Sequence, residues 1–193
     1  MPEPRPKVQI LGYYPASGDL RPLAVNNDGS IITNQRFLRK ISDGYGFAIS
    51  KRVTIANGNY IDVYLENPSG SNKNIYVLII ECSSLGAGWI DVYKNVTITT
   101  SGTSITPNNL NFSSTNTSIV NIEYNGTYDL TGGTLTHETV LPGGSKVRAI
   151  GSVAEVGESI IMSSGDNILV RLTNKSGAET DMSIRIIWWE ENA

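Results

Sequence analysis

The chain has 193 residues, a net charge of −3 and 17 % charged side chains, a length that suits one large domain, or a domain with an arm, and that buries a core without disulfide staples. Its 15 Lys and Arg are scattered, so no basic stripe exists to neutralise a phosphate backbone, and nucleic-acid binding is set aside. One cysteine forms no internal disulfide, one histidine beside it is too little for zinc, and no run reaches the ~18 apolar residues of a membrane span.

Residues 1–9 alternate prolines with charges, the composition of an extended, solvated arm. They contain no apolar stretch of the kind a secretory leader needs, so the chain is expected in the cytoplasm and its five sequons (Asn95, Asn111, Asn116, Asn125, Asn174) are read as composition. Leu23–Val25 and Ser30–Thr33 read as short strands around the turn Asn26–Gly29. Phe37, Leu38 and Ile41 share helical spacing, which predicts one short helix within Asn34–Ile41. The arm and hairpin are assigned to residues 1–40, and a β domain to residues 41–193.

From Gly46 onward the period is two. Phe47–Ala56 is a strand, and in Tyr60–Glu66 Ile61, Val63 and Leu65 face one way while Tyr60, Asp62, Tyr64 and Glu66 face the other. Ile75–Cys82 is apolar on both parities, which marks a strand covered on both faces and makes Cys82 a buried thiol. Trp89–Thr100 places Ile90, Val92, Val96 and Ile98 on one face, and Ser101–Thr117 is a long polar loop anchored by Leu110 and Phe112. Further strands are expected at Ile119–Tyr124, Thr134–Val140, Lys146–Val153, Ser159–Met162, Asn167–Thr173 and Met182–Glu190. Roughly ten strands with frequent turn signals and no crossover helices predict an all-β, antiparallel, jelly-roll-like sandwich with an extended N-terminal arm.

The search for chemistry is brief. His137 sits in a strand without a nucleophile motif, and Asn26–Ser30 lacks the alternating acids of a calcium loop, so no catalytic group, metal or cofactor is assigned. Asp62, Glu66, Glu81, Asp91 and Glu123 are the conceivable acids of a glycosidase, but alternation alone places them on solvated faces. On the last strand Met182, Ile184, Ile186 and Trp188 suit the core. Arg185, Ile187 and Trp189 form a second face that needs a cover, either from a loop or arm or from a subunit interface. Tyr13, Tyr14 and Trp89 are candidate sugar-stacking rings, with packing as the plainer account.

Three segments carry a likeness: Asp19 to Ile31, Tyr64 to Val77, and Ser163 to Asn174 with Ser183 to Glu191. They resemble stretches of structural proteins of tailed phages and related viruses. The resemblance implies a virion component, a capsid, decoration, vertex or fibre protein with a jelly-roll-type domain, often trimeric, assembled in the host cytoplasm with itself and other virion proteins. The alternative is a carbohydrate- or receptor-binding sandwich that meets a host-surface glycan, and an enzyme is not expected.

Overall fold

Side chains that alternate between apolar and polar along a strand need a second apolar layer to face, and this chain supplies it by folding two sheets against each other. A computed structural model of the chain describes residues 11–14, 19–22, 36–142, 149–152 and 160–193. Its contacts divide it into two units, residues 1–36 and 37–193.

In the first unit β1 (Leu11–Tyr14) and β2 (Asp19–Pro22) form an antiparallel hairpin, with Tyr13 opposite Leu20 and Tyr14 opposite Asp19. The expected Pro-rich arm at residues 1–9 and the expected hairpin at Leu23–Thr33 lie outside the described residues.

All of α1 (Arg36–Ser42) but its first residue belongs to the second unit, which continues through β3 (Gly46–Ile55), β4 (Tyr60–Glu66), β5 (Lys73–Ser84), β6 (Gly88–Lys94), β7 (Thr97–Thr100), β8 (Thr103–Ser104) and β9 (Asn108–Asn109). Then come β10 (Asn121–Tyr124), β11 (Thr127–Asp129), β12 (Thr134–Leu141), β13 (Ala149–Ser152), β14 (Ile160–Met162), β15 (Asn167–Asn174) and β16 (Thr180–Asn192). One sheet runs β13-β5-β16-β3-β9, with β14 also on β5, and the other runs β12-β6-β15-β4-β10-β8. The pairings are antiparallel, so the all-β antiparallel sandwich predicted from alternation is the fold.

Between the sheets lies one continuous apolar cluster. Phe47, Ile49, Val77, Ile80, Ile184, Ile186 and Trp188 come from the first sheet, and Ile61, Val63, Leu65, Ile90, Val92, Ile168, Val170 and Leu172 from the second. At roughly 1.5–3 kcal/mol for each fully buried side chain of this size, the cluster is the main favourable term in folding. Two buried asparagines close its ends. Asn67 Nδ2 donates to the carbonyls of Lys73 (2.8 Å) and Met162 (3.0 Å), and Asn174 Nδ2 donates to those of Ile55 (2.6 Å) and Ala178 (2.7 Å). The sequon residue Asn174 is thus a fully buried strut between loops.

Two expectations need correction. Ile90, Val92, Val96 and Ile98 do not share a face, because Asn95 adopts a left-handed φ of 57° and ends β6. Val96 and Ile98 then pack on the far side of the second sheet, in a satellite cluster with Tyr64, Tyr93, Tyr128, Leu130 and Leu169. The stretch Ser101–Thr117 is the other case. It carries β8 on one sheet and β9 on the other, and asparagines hold it: Asn109 and Asn116 donate to the Gly44 carbonyl and Asn111 to that of Ser42. Phe112 is no anchor, being 95 % exposed.

At one side the sandwich is open. β3 pairs with β9 through Phe47 and Ala48 alone, so from Ser50 to Ile55 its outer edge meets no strand among the described residues. Lys51, on the inward parity opposite Ile184, holds its ammonium 4.0 Å from the Tyr124 ring centroid in that mouth.

Candidate recognition faces

Every second side chain of a sandwich strand points away from the core, so whatever this fold does to other molecules falls to its two outer faces, its edges and its loops. On the outer face of the first sheet, register sets Ile161, Tyr76, Trp189 and Gly46 in one cross-strand row. Trp189 stacks on Tyr76 with centroids 4.9 Å apart and planes 4° from parallel, and Phe37 of α1 lies against it at 5.7 Å. Ile187, opposite Ala48 and Ile79, is buried as well.

The second apolar face expected of Ile187 and Trp189 therefore exists, but both residues are already buried within the isolated chain and neither presents a free surface to a partner. The helix that sequence spacing places at residues 34–41 supplies one of the covering rings, through Phe37. Arg185 differs: it is half exposed and faces Glu81 at 3.8 Å. On the same sheet Ile161 is 57 % exposed, and Leu38, next to Phe37 on α1, is 53 % exposed.

The outer face of the second sheet is built in rows. Tyr60, Thr173, Trp89 and Val140 stand opposite one another across β4, β15, β6 and β12. Tyr60 is 53 % and Trp89 49 % exposed, whereas Thr173 is short and buried. The adjacent row is Asp62, Arg171, Asp91 and Glu138. Arg171 grips Asp62 with two parallel bonds, Nε to Oδ1 at 2.8 Å and an Nη to Oδ2 at 2.7 Å, and its guanidinium lies 3.9 Å from the Tyr60 ring centroid. The bond to Asp62 raises the Arg171 pKa further, so this cation is permanent. Asp91 has the opposite fate: burial first, and then Glu138 directly across the ladder, hold its carboxyl above the usual range, with Arg171 pulling it back.

Beyond these rows the two-stranded sheet of β7 and β11 covers the second sheet. Tyr128 stacks on Tyr64 at 5.3 Å and donates its hydroxyl to Glu123 at 3.0 Å. Desolvation pushes both phenols far above their ordinary pKa, so they stay neutral. Of the five acids singled out by sequence, Asp62, Glu66, Asp91 and Glu123 share this sheet and Glu81 lies on the other. Glu66 accepts from Asn121 Nδ2 at 3.2 Å. His137 sits on β12 with Nδ1 3.1 Å from the Thr136 hydroxyl. Among the described residues no group of three or more His, Cys, Asp and Glu is arranged to hold a metal ion, and no helix is long and apolar enough to cross a membrane.

Of the sequence-named rings, Trp89 is thus exposed beside a charged row, and Tyr13 and Tyr14 lie on the separate β1 hairpin. Tyr60 was missed as a candidate, although its parity with Asp62 already placed it on the outer face. No protein-family model matches the chain, and a search of curated proteins finds no significant match.

Proposed function

We propose that this chain is a structural protein of a virion, a jelly-roll-type sandwich without enzymatic activity that assembles in the host cytoplasm with copies of itself, most simply as a trimer, and with other virion proteins. The likeness of three of its segments to phage structural proteins supports the reading. One observation carries it: Ile161 stands 57 % exposed at the end of the otherwise covered row of Tyr76 and Trp189, on a sheet whose helix α1 also leaves Leu38 uncovered. An apolar side chain left out at the end of an apolar row is surface that a second copy hides, and the half-exposed Arg185 and Glu81 pair gives that contact a polar rim.

Light scattering on the full chain is expected to find an oligomer that Ile161→Asp dissociates while the far-UV circular dichroism of the folded chain stays unchanged. Mass spectrometry of particles purified from the source of the sequence is expected to find the chain. A dispersed monomer, or an oligomer indifferent to Ile161→Asp, counts against the assignment. Trp189→Asp is the wrong probe, since a ring 6 % exposed reports on folding before assembly.

A further inference from the structure

The opposite face, which that assembly leaves open, has its own chemistry. Tyr60 and Trp89 are separated by a single strand whose side chain in that row is the short, buried Thr173, so the two rings flank a trough about 10 Å wide, two interstrand spacings. Tyr60 does not wander: its ring lies on the Arg171 guanidinium, which Asp62 holds by two bonds, and its exposure leaves surface for a visitor. Trp89 is flanked by Val140, 67 % exposed, and one face of its indole meets the Lys175 ammonium at 4.2 Å. Lys175 is itself exposed, so a ligand displaces a solvated chain and not a packed one.

Beside these rings runs the row of Asp62, Arg171, Asp91 and Glu138, three carboxylates to one guanidinium. That charge pattern selects the occupant. Phosphates and sulfated or sialylated chains meet a net negative row and are repelled. A protein partner would have to bury Asp91 and Glu138 side by side, a like-charge pair with no second cation in the row. Sugar hydroxyls, by contrast, donate to carboxylates without neutralising them, while the apolar faces of pyranose rings lie on aromatic rings.

We infer that this face binds a neutral, extended oligosaccharide, with one pyranose on Tyr60, a second on Trp89, and hydroxyls of the second sugar donating to Asp91 on that indole's own strand and to Glu138 on the strand beyond it. The inference goes beyond the assembly reading and uses the other side of the sandwich, so the two fail separately.

The test titrates the full chain with cellohexaose, chitohexaose and xylohexaose, and with a heparin hexasaccharide as the anionic counterprobe, read by calorimetry and by indole fluorescence. Trp188 and Trp189 are buried, which leaves Trp89 as the indole that a surface ligand reaches. The expected result is saturable binding of at least one neutral probe. It is expected to weaken at least tenfold in Trp89→Ala and, separately, in Tyr60→Ala, with Lys175→Ala binding as well as or better than the parent. Ile161→Asp is expected to bind as the parent does. Circular dichroism checks that the variants fold. No saturable response to any neutral probe, binding that survives both ring substitutions, or preference for the heparin fragment overturns the inference.

Discussion

Glu190 is expected to be among the most costly single positions to alter. Its side chain is fully buried, yet it is not left alone: Oε1 accepts from the Ser118 hydroxyl at 2.6 Å and the Ile119 amide at 3.0 Å, and Oε2 accepts from Lys73 Nζ at 2.9 Å. Glu190→Gln keeps the shape and the acceptor for Ser118 and Ile119. It turns those two charge-assisted bonds into neutral ones and sets an amide donor against an ammonium donor at Lys73. Losing the Lys73 bond costs about 1.5–3 kcal/mol and weakening the other two about 1 kcal/mol more, so a loss of ~2–4 kcal/mol is expected. With a urea slope of about 2 kcal/mol per molar, the unfolding midpoint falls by roughly 1–2 M. Lys73 is 22 % exposed and turns to water once released, so a double-mutant cycle with Lys73→Met is expected to give a coupling above about 1 kcal/mol. A midpoint shift under about 0.3 M, or a coupling near zero, refutes the view that this carboxylate ties the loop before β10 to the last strand.

The other expectations concern charge, space and reactivity. Asp91 keeps its proton to a higher pH folded than unfolded, so stability falls as pH rises between the two values and the penalty is complete above both. Asp91→Asn removes that titration. Its stability relative to the parent is expected to climb between about pH 3 and about pH 7, read as urea midpoints, and a flat difference sinks the assignment. At Gly102 a Cβ would collide with the Tyr124 carbonyl and come within 2.6 Å of the Gly126 nitrogen, both backbone atoms, whereas at Gly132 it would meet nothing within 4 Å. Gly102→Ala is therefore expected to cost about 1–3 kcal/mol and Gly132→Ala almost nothing, and equal melting temperatures would contradict the packing. The Cys82 thiol is pushed up to about 12, chiefly by burial and secondarily by Glu81. A disulfide reagent is expected to label it only on unfolding; prompt labelling of the native chain would show that the strand opens.

Alternation made the sandwich legible. The in-and-out pattern of Tyr60–Glu66 names the residues of β4 that face the other sheet, and the helical spacing of Phe37, Leu38 and Ile41 finds the helix α1. What covers an outer face is not written in a strand's own residues. Asp62 and Tyr64 carry the pattern of wet positions and are buried, because Arg171 and Tyr128 arrive from 109 and 64 residues away. Asn95 defeated the reading of Trp89–Thr100 because period two says nothing about where an asparagine turns left-handed. Glu190 looks like any acid at a chain's end until Lys73 and Ser118 are brought to it. On the candidate face Trp89 was readable as a ring beside polar neighbours. Its pairing with Tyr60 was not, since it depends on which strands flank β15.

Among the described residues, Ser50–Ile55 of β3 pairs with no strand on its outer side. Backbone amides and carbonyls left bare on such an edge would zip onto any passing strand. Closing the mouth that way traps an ammonium between two greasy layers, away from water, and the inward lysine on Ser50–Ile55 makes each such addition unfavourable. An edge guarded by a buried-side lysine thus resists strand-by-strand addition.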